Sequence, residues 1–111
     1  MKFRTRPTLR VKKRYIVFRV HSEHPLPFFT IEQAMFAAVQ DWLGEEQAAR
    51  ANLWLIKNTW TGRTGFLRCT HRLVDEVKTA LALIHQIGDE KVVFETLKVA
   101  GTIKSGKKAV G

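Results

Sequence analysis

From Tyr15 to Val20 the chain alternates, with Ile16, Phe18 and Val20 on one side and Tyr15, Val17 and Arg19 on the other. That is the two-residue period of a strand with one face against a core. Pro25 and Pro27 interrupt the pattern, and a different period follows. Thr30-Ile-Glu-Gln33 has the spacing of a capping box, and Ile31, Ala34, Met35, Ala38, Val39 and Trp42 recur at helical intervals up to Gly44. A first helix is therefore predicted from Thr30 to the glycine stop. Glu45 to Arg50 predicts a short further helical turn, Leu53 to Thr59 a second strand and Gly65 to Thr70 a third, with Gly62 in the turn between the two strands. Leu73, Val77, Ala80, Leu81, Ile84 and Ile87 form a second helical stripe, with Asp75 and Glu76 in its first turn and Gly88 at its end. Asp89-Glu90 then turns the chain into a fourth strand, Lys91 to Val99.

The order β-α-β-β-α-β predicts an α+β fold of the ferredoxin-like, RRM-like split β-α-β type. In this arrangement a four-stranded antiparallel sheet carries two main helices on one face and leaves the other face open. Strand 1 is central in that topology and strand 4 runs antiparallel beside it. The start of one and the end of the other then share an edge of the sheet.

Charge gives this geometry a meaning. Residues 1–14 hold seven basic side chains and no acid, residues 98–111 hold four and no acid, and the stretch between has eight basic and ten acidic residues. The expected layout is a basic N-terminal arm (1–14), a single domain (15–99) and a basic C-terminal tail (100–111). Two cationic ends brought to one edge make a surface for a polyanion, because each phosphate contact releases counterions. With 111 residues, 45% of them apolar, and seven Phe and three Trp, the chain can fill one core. No apolar run approaches the roughly 18 residues of a membrane span, and no secretory signal is evident, so a cytoplasmic protein without a membrane partner is expected. Cys69 is the only cysteine, which excludes an intrachain disulfide and a cysteine-cluster zinc site.

The candidate RNA contacts follow from face and charge. Arg10, Lys12, Lys13 and Arg14 precede the first strand, and Lys104, Lys107 and Lys108 follow the last. On the open face the alternation places Tyr15 and Arg19 from strand 1 and Phe66 and Arg68 from strand 3, with Leu67 and Cys69 inside. Aromatics with arginines on a sheet face suit single-stranded RNA, where bases stack and phosphates pair. The competing account is that a partner or a tail covers Tyr15 and Phe66. Gly65-Phe-Leu-Arg-Cys-Thr-His71 does not follow the RNA recognition motif consensus, so backbone or shape recognition is favoured over base reading. Leu26, Phe28, Phe29 and Phe36 form an apolar group that either folds over the core or meets a protein partner.

Chemistry by the chain itself is not expected. Cys69 and His71 share a strand face but supply two ligands where zinc needs three or four, and His21, His24 and His85 add no ligand spacing, so no metal is assigned. No nucleophile elbow or phosphate-binding loop is present, and no catalytic residue or bound cofactor is assigned. The residues leave open a protein-directed assembly module with an acidic partner, or a general RNA-binding or ribosomal protein.

Three strings carry a resemblance: Leu9-Arg-Val-Lys-Lys-Arg-Tyr-Ile-Val-Phe18, Gly65-Phe-Leu-Arg-Cys-Thr-His-Arg-Leu-Val-Asp-Glu-Val-Lys-Thr-Ala-Leu81 and Gly101-Thr-Ile-Lys-Ser-Gly-Lys-Lys108. Over residues 6–108 the chain resembles the archaeal ribonuclease P protein component 2 family, related to a small subunit of the eukaryotic enzyme. The resemblance implies a non-catalytic subunit of a ribonucleoprotein endoribonuclease that removes the 5′ leader of precursor tRNA. It implies that the RNA performs the hydrolysis with magnesium bound to the RNA, and that precursor tRNA is met only indirectly. It also implies a TIM-barrel-like protein partner, component 3, in an assembly of two copies of each.

Overall fold

A computed structural model describes residues 12–110; Arg10 and the rest of the arm up to residue 11 lie outside the described residues. The first strand, β1 (Lys13–Ser22), runs between β3 (Thr64–Thr70) and β5 (Glu90–Ala100), antiparallel to both. Outside them lie β2 (Trp54–Leu55) and β4 (Gln86–Ile87), giving the order β2-β3-β1-β5-β4. The helices are α1 (Phe28–Leu43), α2 (Glu45–Ala51), α3 (Val74–Ala82) and α4 (Ile103–Val110). The α+β class holds, with five strands among the described residues in place of the expected four.

The expected inner face is the one that builds the core. Ile16, Phe18, Val20, Leu67 and Cys69 are buried with Ile31, Met35 and Val39 of α1 and Val77, Ala80 and Leu81 of α3. Trp60 closes one side, stacked on Phe18 at 5.9 Å between centroids and donating its indole N–H to the Leu26 carbonyl at 2.9 Å. Gly65 permits this closeness, since a Cβ there would lie 2.8 Å from the Trp60 ring.

The differences lie at element ends. Helix α1 begins at Phe28 after Pro27, with the Ile31 amide bonded to the Pro27 carbonyl at 3.1 Å, and no side chain of a capping box closes it. Proline suits that position because the first amides of a helix have no internal acceptor. Strand β2 stops after two residues. Thr59 Oγ1 donates to the Ile56 carbonyl at 2.7 Å and accepts the Phe66 amide at 3.1 Å, which winds Lys57–Thr59 into a 3-10 turn. The second helical stripe ends early, at Ala82. Ile87 leaves the helix to pair with Glu90 in a hairpin whose loop holds Gly88 at φ 61°. The short helix expected after Gly44 is present as α2, ended by Asn52 in the left-handed conformation.

The main correction concerns the face expected to be open. The C-terminal segment, expected as a tail, forms α4 and packs against β5, β1 and β3. Val17, Phe66 and Ala100, all on the outer face, are buried, with Val17 fully enclosed and Phe66 2% exposed. Gly106 lies directly over Val17 and Phe66.

Candidate nucleic-acid interface

Cross-strand pairing arranges the outer face in rows. Lys13 pairs with Thr70. The next row crosses four strands: Trp54 on β2, Arg68 on β3, Tyr15 on β1 and Ala100 on β5. Beyond it come Phe66 and Val17, under α4, with the exposed Lys98 beside them, and then Thr64, Arg19 and Glu95.

Helix α4 supplies charge as well as cover. Thr102 starts it, accepting the Ser105 amide on its hydroxyl at 3.1 Å and the Gly106 amide on its carbonyl at 3.1 Å. Lys104, Lys107 and Lys108 fall at i, i+3 and i+4, a single stripe, and all three are exposed. Lys107 and Lys108 occupy the last turn, where the helix dipole favours cations. Lys98 ties the helix to β5 by donating to the carbonyl and hydroxyl of Ser105, both at 3.2 Å. Lys12 and Lys13 are exposed at the start of β1, whose Tyr15 lies opposite Ala100 two residues before α4's Thr102. The two basic segments thus meet at one end of the sheet.

The remaining predicted contacts divide. Arg14 lies opposite Cys69 on the helix-bearing face and donates to the Lys13 carbonyl at 3.0 Å, so its direction differs from that of Lys13. Arg19 is on the outer face as expected, two rows from Tyr15 and beside Glu95, which draws its surroundings away from a purely cationic patch. Phe66 is removed from the accessible set because α4 covers its ring. Arg68 is half-buried, with its guanidinium 5.5 Å from the Trp54 ring centroid. Trp54 was not among the expected contacts. Its signal was the alternation Leu53, Trp54, Leu55, which sets it opposite in face to the buried Leu55, but its row became visible only through the register Trp54 to Arg68.

The apolar group also divides. Leu26 is buried and Phe28 packs against the core, so neither offers a partner surface, whereas Phe29 is 65% and Phe36 38% exposed on α1. The proline loop folds inward because its Leu26 amide bonds to the Gly62 carbonyl at 3.0 Å while Trp60 holds the Leu26 carbonyl.

Cys69 is fully enclosed, and burial pushes its thiol up to about 11, which keeps it protonated and unreactive at neutral pH. Among the described residues no three His, Cys, Asp or Glu side chains are grouped to hold a metal ion. No helix among them is long and apolar enough to cross a membrane.

Residues 14–110, from the start of β1 through α4, match the Rpp14/Pop5 family. The chain belongs to this family. It is 41% identical over 102 residues to ribonuclease P protein component 2 of Thermococcus kodakarensis and 42% identical over 102 residues to that of Pyrococcus furiosus, in each case spanning 92% of this chain and 85% of the relative. The corresponding protein of Archaeoglobus fulgidus is 34% identical over 92% of this chain and 91% of its own. Among solved structures, a chain from yeast ribonuclease MRP superposes with a TM-score of 0.66, covering 82% of this chain and 75% of that one at 11% identity, which is a likeness of fold. The family match extends to the last residue of α4, so the helix that covers Phe66 belongs to the shared domain and is not an appendage.

Proposed function

We propose that this chain is a protein subunit of ribonuclease P that binds the enzyme's RNA and assists it in removing the 5′ leader of precursor tRNA. One observation carries the reading: in a chain of the Rpp14/Pop5 family, α4 begins at the end of the sheet where β1 starts, and it carries a stripe of three exposed lysines. Lys12, Lys13, Lys104, Lys107 and Lys108 form a phosphate-binding surface, and Arg10, outside the described residues, and Arg14, on the helix-bearing face, add to the positive charge of the chain's basic start. Such contacts give affinity and orientation without reading sequence. The chain's part is to hold the RNA in its active shape, and hydrolysis, with its magnesium, belongs to the RNA. The strand order supports the finer ferredoxin-like, RRM-like description once β4 is counted as an added hairpin. Phe29 and Phe36 support a contact with the TIM-barrel-like component 3, in two copies of each, and the assembly acts in the cytoplasm.

The test is precursor tRNA cleavage by a ribonuclease P RNA at moderate magnesium, with and without this chain and its component 3 partner. Stimulation is expected, and its loss when Lys12, Lys13 and Arg14 become Ala would assign it to the cationic end. A folded, paired complex that gave no stimulation would refute the reading. Separately, Phe29→Ser with Phe36→Ser should abolish co-purification with component 3 while leaving the thermal midpoint of the monomer within a few degrees.

A further inference from the structure

Beside the cationic end lies a second feature of different chemistry. Trp54, at 58% exposure, is among the most exposed large apolar side chains described, and it stands on an edge strand of only two residues. Arg68, paired with it on β3, holds its guanidinium 5.5 Å from the indole centroid, within cation–π range, and Tyr15 follows in the same row on β1. Among the described residues no carboxylate pairs with Arg68, and its Nε is enclosed without a hydrogen-bond partner. The aromatic ring, not a counterion, therefore positions this cation. The row is bounded on one side by α4 and on the other by Lys13, two residues along β1 and so about 7 Å away at strand spacing.

We infer that Trp54 and Arg68 form a stacking site for an unpaired nucleotide of RNA, with the base lying on the indole and the guanidinium, and with Lys13 and the α4 lysines taking the flanking phosphates. The inference rests on the reading of RNA as the partner and adds to it a preference for single-stranded over duplex segments. An exposed indole alone would serve a protein contact equally well. The surrounding charge favours the nucleotide: the rows that flank Trp54 and Arg68 carry Lys13 and Lys98, the adjoining helix adds three lysines, and the nearest acid on this face, Glu95, is two rows away. Every base offers a π-face, so such a site tolerates any sequence. That fits a chain whose third strand lacks the motif for base reading.

The experiment measures binding of the full chain to a fluorescently labelled 12-nucleotide oligoadenylate, an oligouridylate and a 12-base-pair RNA duplex over a salt series. Trp54→Ala should weaken binding of the single strands by about 5- to 150-fold, the range found for losing one base–aromatic stack, with an unchanged salt slope and little effect on the duplex. Trp54→Phe should restore most of the affinity, and Arg68→Ala should lose affinity in the same selective way. Circular dichroism confirms the fold of each variant. Lys12→Ala with Lys13→Ala should lower the salt slope for single strand and duplex alike. If Trp54→Ala binds every probe as the parent does while the lysine variant is impaired, RNA binding stands, the stacking site falls, and the row is a protein contact. If the parent binds none of the probes and no ribonuclease P RNA, the wider reading fails and the stacking site with it.

Discussion

Gly106 of α4 lies so close to Phe66 of β3 that a Cβ on the glycine would sit 2.6 Å from the ring's Cε2 and 2.9 Å from Val17 Cγ2. Both distances are shorter than carbon atoms tolerate, and both neighbours are buried. The glycine is therefore the contact through which the C-terminal helix seats on the sheet.

Gly106→Ala separates a seated helix from a free one, because the two effects of the methyl have opposite signs. In an isolated helix alanine is better than glycine by about 1 kcal/mol. Against Phe66 and Val17 the added methyl overpacks, at about 1–3 kcal/mol. The expected result is a lower thermal midpoint, by roughly 4–8 °C per kcal/mol of net loss, together with faster amide exchange in residues 103–109. A raised midpoint would mean that α4 is not docked in solution.

The α4 lysines should act as phosphate contacts and little else. Replacing Lys104, Lys107 and Lys108 together with Ala removes three exposed charges from one stripe. Each duplex phosphate contact contributes about 0.9 to the slope of log affinity against log salt, so the triple variant should flatten that slope by about 2 to 3 units. Thermal stability should change little. An unchanged slope would show that the RNA does not pass over α4.

Cys69 should resist thiol reagents. Its side chain is enclosed and its thiol is pushed up to about 11, so neither access nor thiolate is available at pH 8. Labelling with a disulfide reagent should be slow in the native protein, reach completion in denaturant, and follow the urea unfolding curve between. Rapid labelling of the native chain would contradict the packing of β3.

Glu90 links the start of β5 to the loop before α1. Its carboxylate accepts the His24 backbone amide at 3.0 Å and approaches the His24 ring Nδ1 at 3.2 Å, and these bonds hold it below its ordinary value of 4.5. A carboxyl whose value is lower in the folded chain than in the unfolded one stabilises the fold above the ordinary value, and that contribution disappears as pH falls through the lowered value. The gap in urea midpoint between the parent and Glu90→Gln should therefore be present at neutral pH and close as pH falls well below 4.5. A gap that widened on acidification would reverse the assignment.

Residue periodicity alone determined much of this protein. The alternation of Ile16, Phe18 and Val20 set the inner face of the central strand, because side chains on a strand must point to opposite sides. The helical spacing of Ile31, Met35 and Val39, and of Val77, Ala80 and Leu81, set the two stripes that cover it. The uneven charge placed the cationic candidates at the two ends, and chain topology brought those ends together. Periodicity assigns a face, however, and does not say what lies on it. That Phe66 is covered, that Val17 is as buried as any core residue, and that Gly106 is the reason were decided by the docking of α4, a contact between positions forty residues apart in the chain. The same holds for Trp54. Alternation with Leu53 and Leu55 sets its face, but its place beside Arg68 comes from the register of β2 on β3. Leu26 and Phe28 turned inward and Phe29 outward for the same kind of reason: an apolar cluster in a loop has no period, and only the packing of Trp60 and the first turn of α1 distributes its members between core and surface.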